Sequence, residues 1–206
     1  ATQYTPGANE TTIKLYLTTD DPAGPCAAAK DSVSIFIIPT PAAPTVNTAA
    51  VCVGSTALLT ATAPGGNYEW YAVATGGTAI SNAAVYTTPV LSATATYYVQ
   101  STINSCTGPR AAVTVSVSPK PSINSAPAGE VCSSQPLTYQ ILSDQPGSAY
   151  TWSRAVVAGI SNPQSGVQNN SSITEVLTNT TATGIQVPYQ IVPVNNGCTG
   201  NAFIYT

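Results

Sequence analysis

The stretch TATYYVQSTINSCTGPRAAVTVSVS, Thr94–Ser118, decides how the chain is read. In its last part Val113, Val115 and Val117 alternate with Thr114 and Ser116, the two-residue period of a strand with one buried face. Its first part is a second strand-like run rich in Thr, Tyr and Val. Between the two lies a polar turn that holds Cys106 beside Gly108 and Pro109. The same plan of run, cysteine turn and run recurs at Leu15–Ile38 around Cys26 and at Tyr189–Tyr205 around Cys198. A second kind of cysteine opens a strand-like run, at VCVGSTALLTATA from Val51 and at VCSSQPLTYQILS from Val131.

The five cysteines therefore alternate as late and early members of a repeated module. This reading pairs Cys52 with Cys106 and Cys132 with Cys198, so that each bond closes a module on itself. Cys26 is then a late cysteine whose partner is expected upstream of Ala1, which makes residues 1–40 the closing part of a module; a free thiol or a cross-link between chains is the alternative. Sulfurs joined across the module joints would overturn the reading of the chain as a string of self-bridged modules, and not the pairing alone. The joints themselves are proline-rich, PTPAAPT at Pro39–Thr45 and SPKPS at Ser118–Ser122. Proline fixes φ and extends the residue before it, so these joints are short and stiff. The expected organisation is modules at residues 1–40, 41–120 and 121–206, strung as beads into a rod.

Outward from the repeat, composition agrees. The 206 residues are 43% hydrophobic but only 6% charged, against about 25% in ordinary chains. Five basic and eight acidic residues give a net charge of −3, which argues against nucleic acid as a partner. No apolar run is long enough to form a membrane-spanning helix, so no membrane insertion is expected. In the middle module strands are predicted at 56–62, 68–73, 84–88, 96–102 and 111–118, and in the last at 137–142, 149–154, 172–177, 185–194 and 200–205. Short strands at this spacing predict an all-β fold of antiparallel sandwiches. Disulfide use places the chain outside a reducing cytoplasm, in an extracellular or cell-surface setting.

Each full module carries one tryptophan, Trp70 in NYEWYAV and Trp152 in AYTWSRAV, at nearly the same distance after the early cysteines Cys52 and Cys132. That layout resembles immunoglobulin-like domains, in which the tryptophan is a core aromatic. Cys106 departs from it, standing eight residues beyond Tyr98 rather than within the strand.

Chemistry finds little support. With no histidine, general base catalysis and zinc ligation lose their commonest side chain. The eight carboxylates are Glu10, Asp20, Asp21, Asp31, Glu69, Glu130, Asp144 and Glu175. The adjacent Asp20 and Asp21 read as turn formers, and no catalytic residue, metal site or cofactor is expected. Tyr71, Tyr86 and Tyr97 are the candidates for an alternative reading as carbohydrate-binding modules of a secreted protein. Lys14, Lys30 and Lys120 are expected to be solvated rather than cross-linked to asparagine.

Taken together, YTPGAN, LYLTTDDPAGPC and DSVSIFI at the start resemble the closing half of PKD-like modules in giant Bacteroidota surface proteins. The middle segment, PAAPTV through VCVGSTALLTATAPGGNYEWYAVATGGTAI to SCTGPRAAVTVSV, is similar to their immunoglobulin-like repeat, and the chain from Pro121 on resembles a second PKD-like module. Such repeats are shared by many adhesins, including the gliding-motility adhesin of SprB type, exported by the type IX secretion system. The resemblance implies a stalk segment of a long surface filament that projects and bears load. Its implied partners are neighbouring repeats of the same chain, the secretion and gliding machinery, and surface glycans or solid substrata. It also makes Ser32, in the triplet Asp31-Ser32-Val33, a candidate for O-glycosylation. The Asn-x-Ser/Thr triplets at Asn9, Asn169, Asn170 and Asn179 carry little meaning in a bacterial protein.

Overall fold

The computed structural model describes residues 4, 5, 7, 10–20, 24, 27–63 and 65–206. Cys26, together with Asn9, Asp21 and Pro64, lies outside the described residues. Among the described residues every regular element is a strand, so the chain is all-β. It divides into two compact units, Ala1–Asn47 with Leu59–Tyr86 and Thr96–Val113, and Thr48–Leu58 with Thr87–Ala95 and Thr114–Thr206.

The first strands, β1 (Thr12–Thr18) and β2 (Lys30–Phe36), form an antiparallel hairpin in which Leu15 faces Val33 and Tyr16 faces Ser32. Eight strands follow: β3 (Thr45–Val46), β4 (Ala49–Cys52), β5 (Leu58–Thr62), β6 (Asn67–Tyr71), β7 (Val85–Thr87), β8 (Ala95–Ile103), β9 (Cys106–Thr107) and β10 (Ala111–Ser118). They make one sheet in the order β3-β5-β7 and another in the order β4-β10-β8-β6, with β9 folded back on β8. Burial follows the two-residue period: Leu59 and Ala61 in β5, Tyr97, Val99 and Ser101 in β8, and Val113 and Val115 in β10 are buried. Trp70 is fully buried and stands opposite Val99, while its indole N–H donates to the Ala83 carbonyl at 2.9 Å.

The last seven strands are β11 (Pro136–Gln140), β12 (Ala149–Arg154), β13 (Ser165–Gln168), β14 (Ser172–Val176), β15 (Tyr189–Asn195), β16 (Cys198–Thr199) and β17 (Phe203–Tyr205). The pair β11-β14 faces the sheet built on β13-β12-β15, to which β16 and β17 also pair. Leu137, Tyr139 and Ile173 from the pair meet Trp152, Tyr189, Ile191 and Tyr205 from the larger sheet in one core. Tyr139 stacks on Tyr205 with ring centroids 3.8 Å apart, and Trp152 meets Tyr189 edge to face.

Most strands fall where alternation put them, and β10 and β12 match the reading end to end. The strand read as 185–194 begins only at Tyr189, because Pro188 has no N–H to enter a ladder. The strand read as 56–62 begins at Leu58. Five elements were not read as strands: β3, β9 and β16, of two residues each; β13, which is short and mostly polar; and β4, which pairs parallel to β10 with Ala49 opposite Val115 and Cys52 opposite Ser118.

Candidate functional site: two cysteine clasps

The feature that recurs is a clasp made by Cys-Thr-Gly. In the second unit, β15 turns into β16 through Asn196 and Gly197, both at positive φ (47° and 75°). Two such residues between paired strands make the tight hairpin turn whose twist suits the flanking ladder. Thr199 pairs with Val194, and the Gly200 N–H donates to the Pro193 carbonyl at 2.8 Å. A Cβ built on Gly200 would run into the Pro121 carbonyl oxygen, so the chain entering the module passes directly over the glycine backbone. Cys198 Sγ is thereby held 3.9 Å from the Ser118 carbonyl, at the end of β10.

The first unit repeats this arrangement. Asn104 and Ser105, at φ 47° and 67°, turn β8 into β9. Thr107 pairs with Thr102, and the Gly108 N–H donates to the Ser101 carbonyl at 2.9 Å. A Cβ on Gly108 would lie 2.5 Å from the Pro41 carbonyl oxygen. Cys106 Sγ is 3.9 Å from the Ile38 carbonyl, two residues beyond β2.

The early cysteines also share a setting. Each opens a turn, with Ser55 N–H on the Cys52 carbonyl and Gln135 N–H on the Cys132 carbonyl, both at 3.0 Å. The third turn residue takes positive φ in both, Gly54 at 81° and Ser134 at 63°. Its N–H donates to Leu91 in the one turn and Leu177 in the other. Cys52 ends beside Ser118. Cys132 is exposed and lines a cavity of about 710 Å³ with Gly129, Val131, Leu177 and Tyr205.

These settings correct the cysteine pairing. Cys52 is bonded to Cys198, with Cα atoms 5.6 Å apart and a sequence separation of 146, and Cys106 and Cys132 are free thiols. Neither expected bond, Cys52–Cys106 nor Cys132–Cys198, is present. The clasp turns a late cysteine toward the strand that precedes its own module, so Cys198 meets the cysteine lying beside Ser118. The bond crosses the joint at Pro119–Pro121 instead of closing a module on itself.

Other candidates are placed as follows. Tyr71 and Tyr97 are buried and Tyr86 is half-buried, so none offers the open ring that a sugar would stack on. The Arg110 guanidinium covers Tyr71 at 3.4 Å and also donates to Gln100 and to the Val73 and Gly76 carbonyls. Tyr86 packs between Trp70 and Tyr97, and burial raises the pKa values of Tyr86 and Tyr97. Ser32 is exposed in β2, where its N–H meets the Asp31 carboxylate. Lys14 lies over the Tyr16 ring. Trp152 is buried, with its indole N–H on Asn170 at 2.6 Å. No group of three or more metal-ligating side chains occurs among the described residues.

Sequence reasoning missed one buried charge. Arg154, 2% exposed, reaches Glu175 with Nε at 3.0 Å and Nη2 at 3.3 Å, and Nη2 also donates to the Pro163 carbonyl. Tyr189 donates its hydroxyl to the same carboxylate. Burial first, and then this carboxylate, push the Tyr189 pKa well above the ordinary phenol value. The network ties β12, β14 and β15 together. The joint has an anchor of its own: Asp144 accepts from the Ser122 N–H and hydroxyl, each at 2.8 Å, which holds its pKa below the usual aspartate value.

Among curated proteins none matches the sequence significantly. Similar solved structures include the first two immunoglobulin domains of DIP-gamma, 14% identical, covering 80% of this chain and 96% of that one at TM-score 0.41. The I67–I69 fragment of the titin I-band is 15% identical, with 81% and 62% covered at TM-score 0.39. Fibronectin(III)-like modules of Clostridium thermocellum CbhA are 10% identical, with 78% and 92% covered at TM-score 0.36. Residues 41–119 match the family model of the Ig-like domain described as CHU_C associated, and residues 129–206 match a PKD-like domain. Domains of these kinds are typical of extracellular proteins and are typically non-catalytic, and no helix among the described residues is long and apolar enough to cross a membrane. The chain thus carries an Ig-like segment and a PKD-like segment in tandem, the make-up of an extracellular structural or adhesion module.

Proposed function

We propose that this chain is a load-bearing stalk segment of a long surface adhesin, displayed outside the cell by type IX secretion and serving adhesion or gliding. Its modules are residues 1–40, 41–120 and 121–206. Its immediate partners are neighbouring repeats, and whatever glycan or solid surface the adhesin grips is held elsewhere. The observation that carries this reading is the Cys52–Cys198 bond, which ties the Ig-like match to the PKD-like match across a proline joint. A bond across the joint suits a spacer that must hold its length under tension. Low charge, and the burial of Tyr71 and Tyr97, fit a surface without a strong ligand.

Deleting this segment from the full-length protein tests the reading. Electron microscopy of the displayed protein is expected to show a shorter thread, with attachment retained by the remaining modules. Attachment lost at unchanged thread length would overturn the stalk function in favour of a binding one.

A further inference from the structure

The geometry points to Cys106 and Cys132 as the open ends of a disulfide series between repeats. Cys106 takes the early cysteine of a repeat before it, and Cys132 takes the late cysteine of a repeat after it. This deepens the stalk reading and rests on it, because both partners belong to neighbouring repeats.

The inference does not rest on two unpaired thiols. Cys106 occupies the same clasp as Cys198: the two-residue turn at positive φ, the glycine two positions on, the proline carbonyl over that glycine, and a sulfur 3.9 Å from a carbonyl of the chain entering the module, Ile38 for Cys106 and Ser118 for Cys198. In that clasp Cys198 is bonded. Cys132 opens the same turn as Cys52, and in that turn Cys52 is bonded. Each free thiol therefore presents one half of a bond whose complete form the same chain contains.

Spacing supports the same reading. The interval from an early to a late cysteine varies, being longer from Cys132 to Cys198 than from Cys52 to Cys106. The interval from a late cysteine to the next early one does not vary: Cys26 to Cys52 and Cys106 to Cys132 are identical in length. Each joint therefore lies within a stretch of equal length, as it would in a chain whose joints are repeated along with its modules.

Each bond forms by thiol–disulfide exchange. Two thiols lose two protons and two electrons, and a disulfide oxidant is reduced to two thiols. A second copy of this chain supplies the missing repeat. Thr206 stands eight residues after Cys198, as Ser34 stands eight after Cys26, so a second copy beginning at Ile35 continues the strand in register. The tandem protein is folded with oxidised and reduced glutathione, and its non-reduced peptides are mapped by mass spectrometry. Cys132 of the first copy is expected to join Cys106 of the second. The Cys52–Cys198 bond of the second copy reports that this copy has folded. In a Cys132→Ser tandem, Cys106 of the second copy should return as an alkylatable thiol. Cys106 of the second copy bonded to its own Cys52, or left reduced while Cys52–Cys198 forms, overturns the proposal.

The single chain gives a second measurement that does not need the tandem to fold. Under oxidised glutathione, Cys106 and Cys132 should each take one glutathione, releasing one reduced glutathione apiece, with Cys52–Cys198 intact. A Cys106–Cys132 bond would overturn the series. Either experiment can succeed while the deletion test fails, since mapping reads connectivity and not attachment.

Discussion

Gly200 and Gly108 do the same work at the two joints, and each is a place where a single methyl group matters. Gly200→Ala drives a Cβ onto the Pro121 carbonyl, which belongs to backbone and cannot swing away. Overpacking of this kind costs about 1–3 kcal/mol, to be read as a lower denaturant midpoint. Ser134 carries the positive φ that glycine carries at position 54, so Ser134→Gly is expected to leave stability unchanged or raise it by up to about 1 kcal/mol. Arg154→Met leaves the partly exposed Glu175 carboxylate without its cation; loss of one partner of a fully buried pair costs about 3–5 kcal/mol, and solvent at Glu175 lowers the expected loss to about 1–3 kcal/mol. Tyr189 gives a pH signature. Its folded pKa lies above the unfolded value near 10, so the folded state holds the phenol proton longer. Stability is complete below pH 10 and falls above it, by up to about 1.4 kcal/mol per pH unit. Tyr189→Phe should flatten that alkaline limb of a thermal-melt series.

At the scale of elements, what could be read was whatever announces itself by period or turn chemistry. Val113, Val115 and Val117 gave β10 to the residue, and AYTWSR gave β12. The hairpin turns were readable because Asn-Ser and Asn-Gly tolerate positive φ. The parallel strand β4 was not readable. Ala49–Cys52 is four residues long, and a parallel partner needs no adjacent turn to betray it. That omission also hid the disulfide. Four cysteines allow three full connectivities; joining early members to late ones excludes one, and alternation does not choose between the other two. The choice lies in which strand the Cys-Thr-Gly clasp faces, a matter of the Gly200–Pro121 approach and not of spacing within a module. Arg154 was hidden for a related reason: its partner Glu175 is 21 residues away, in another sheet.

For the whole molecule the covalent path matters more than any single contact. Pulled from its ends, the oxidised chain cannot pay out the residues between Cys52 and Cys198, so the contour stays short by the length they would span. Reduction is expected to release about 500 Å, from 146 residues at roughly 3.4 Å each, seen as one added length in single-molecule extension. Bonds within modules would instead release two shorter lengths. Cys198→Ser removes the same constraint at equilibrium and should cost about 2–5 kcal/mol. The bridge has a further effect, on survival amid extracellular proteases. A backbone cut anywhere from Val53 to Gly197 leaves both fragments joined through sulfur, so a nicked molecule would still run as one species until a reductant is added. With successive bridges overlapping, severing such a thread would take more than one cut, and wear would accumulate for some time before any length was lost.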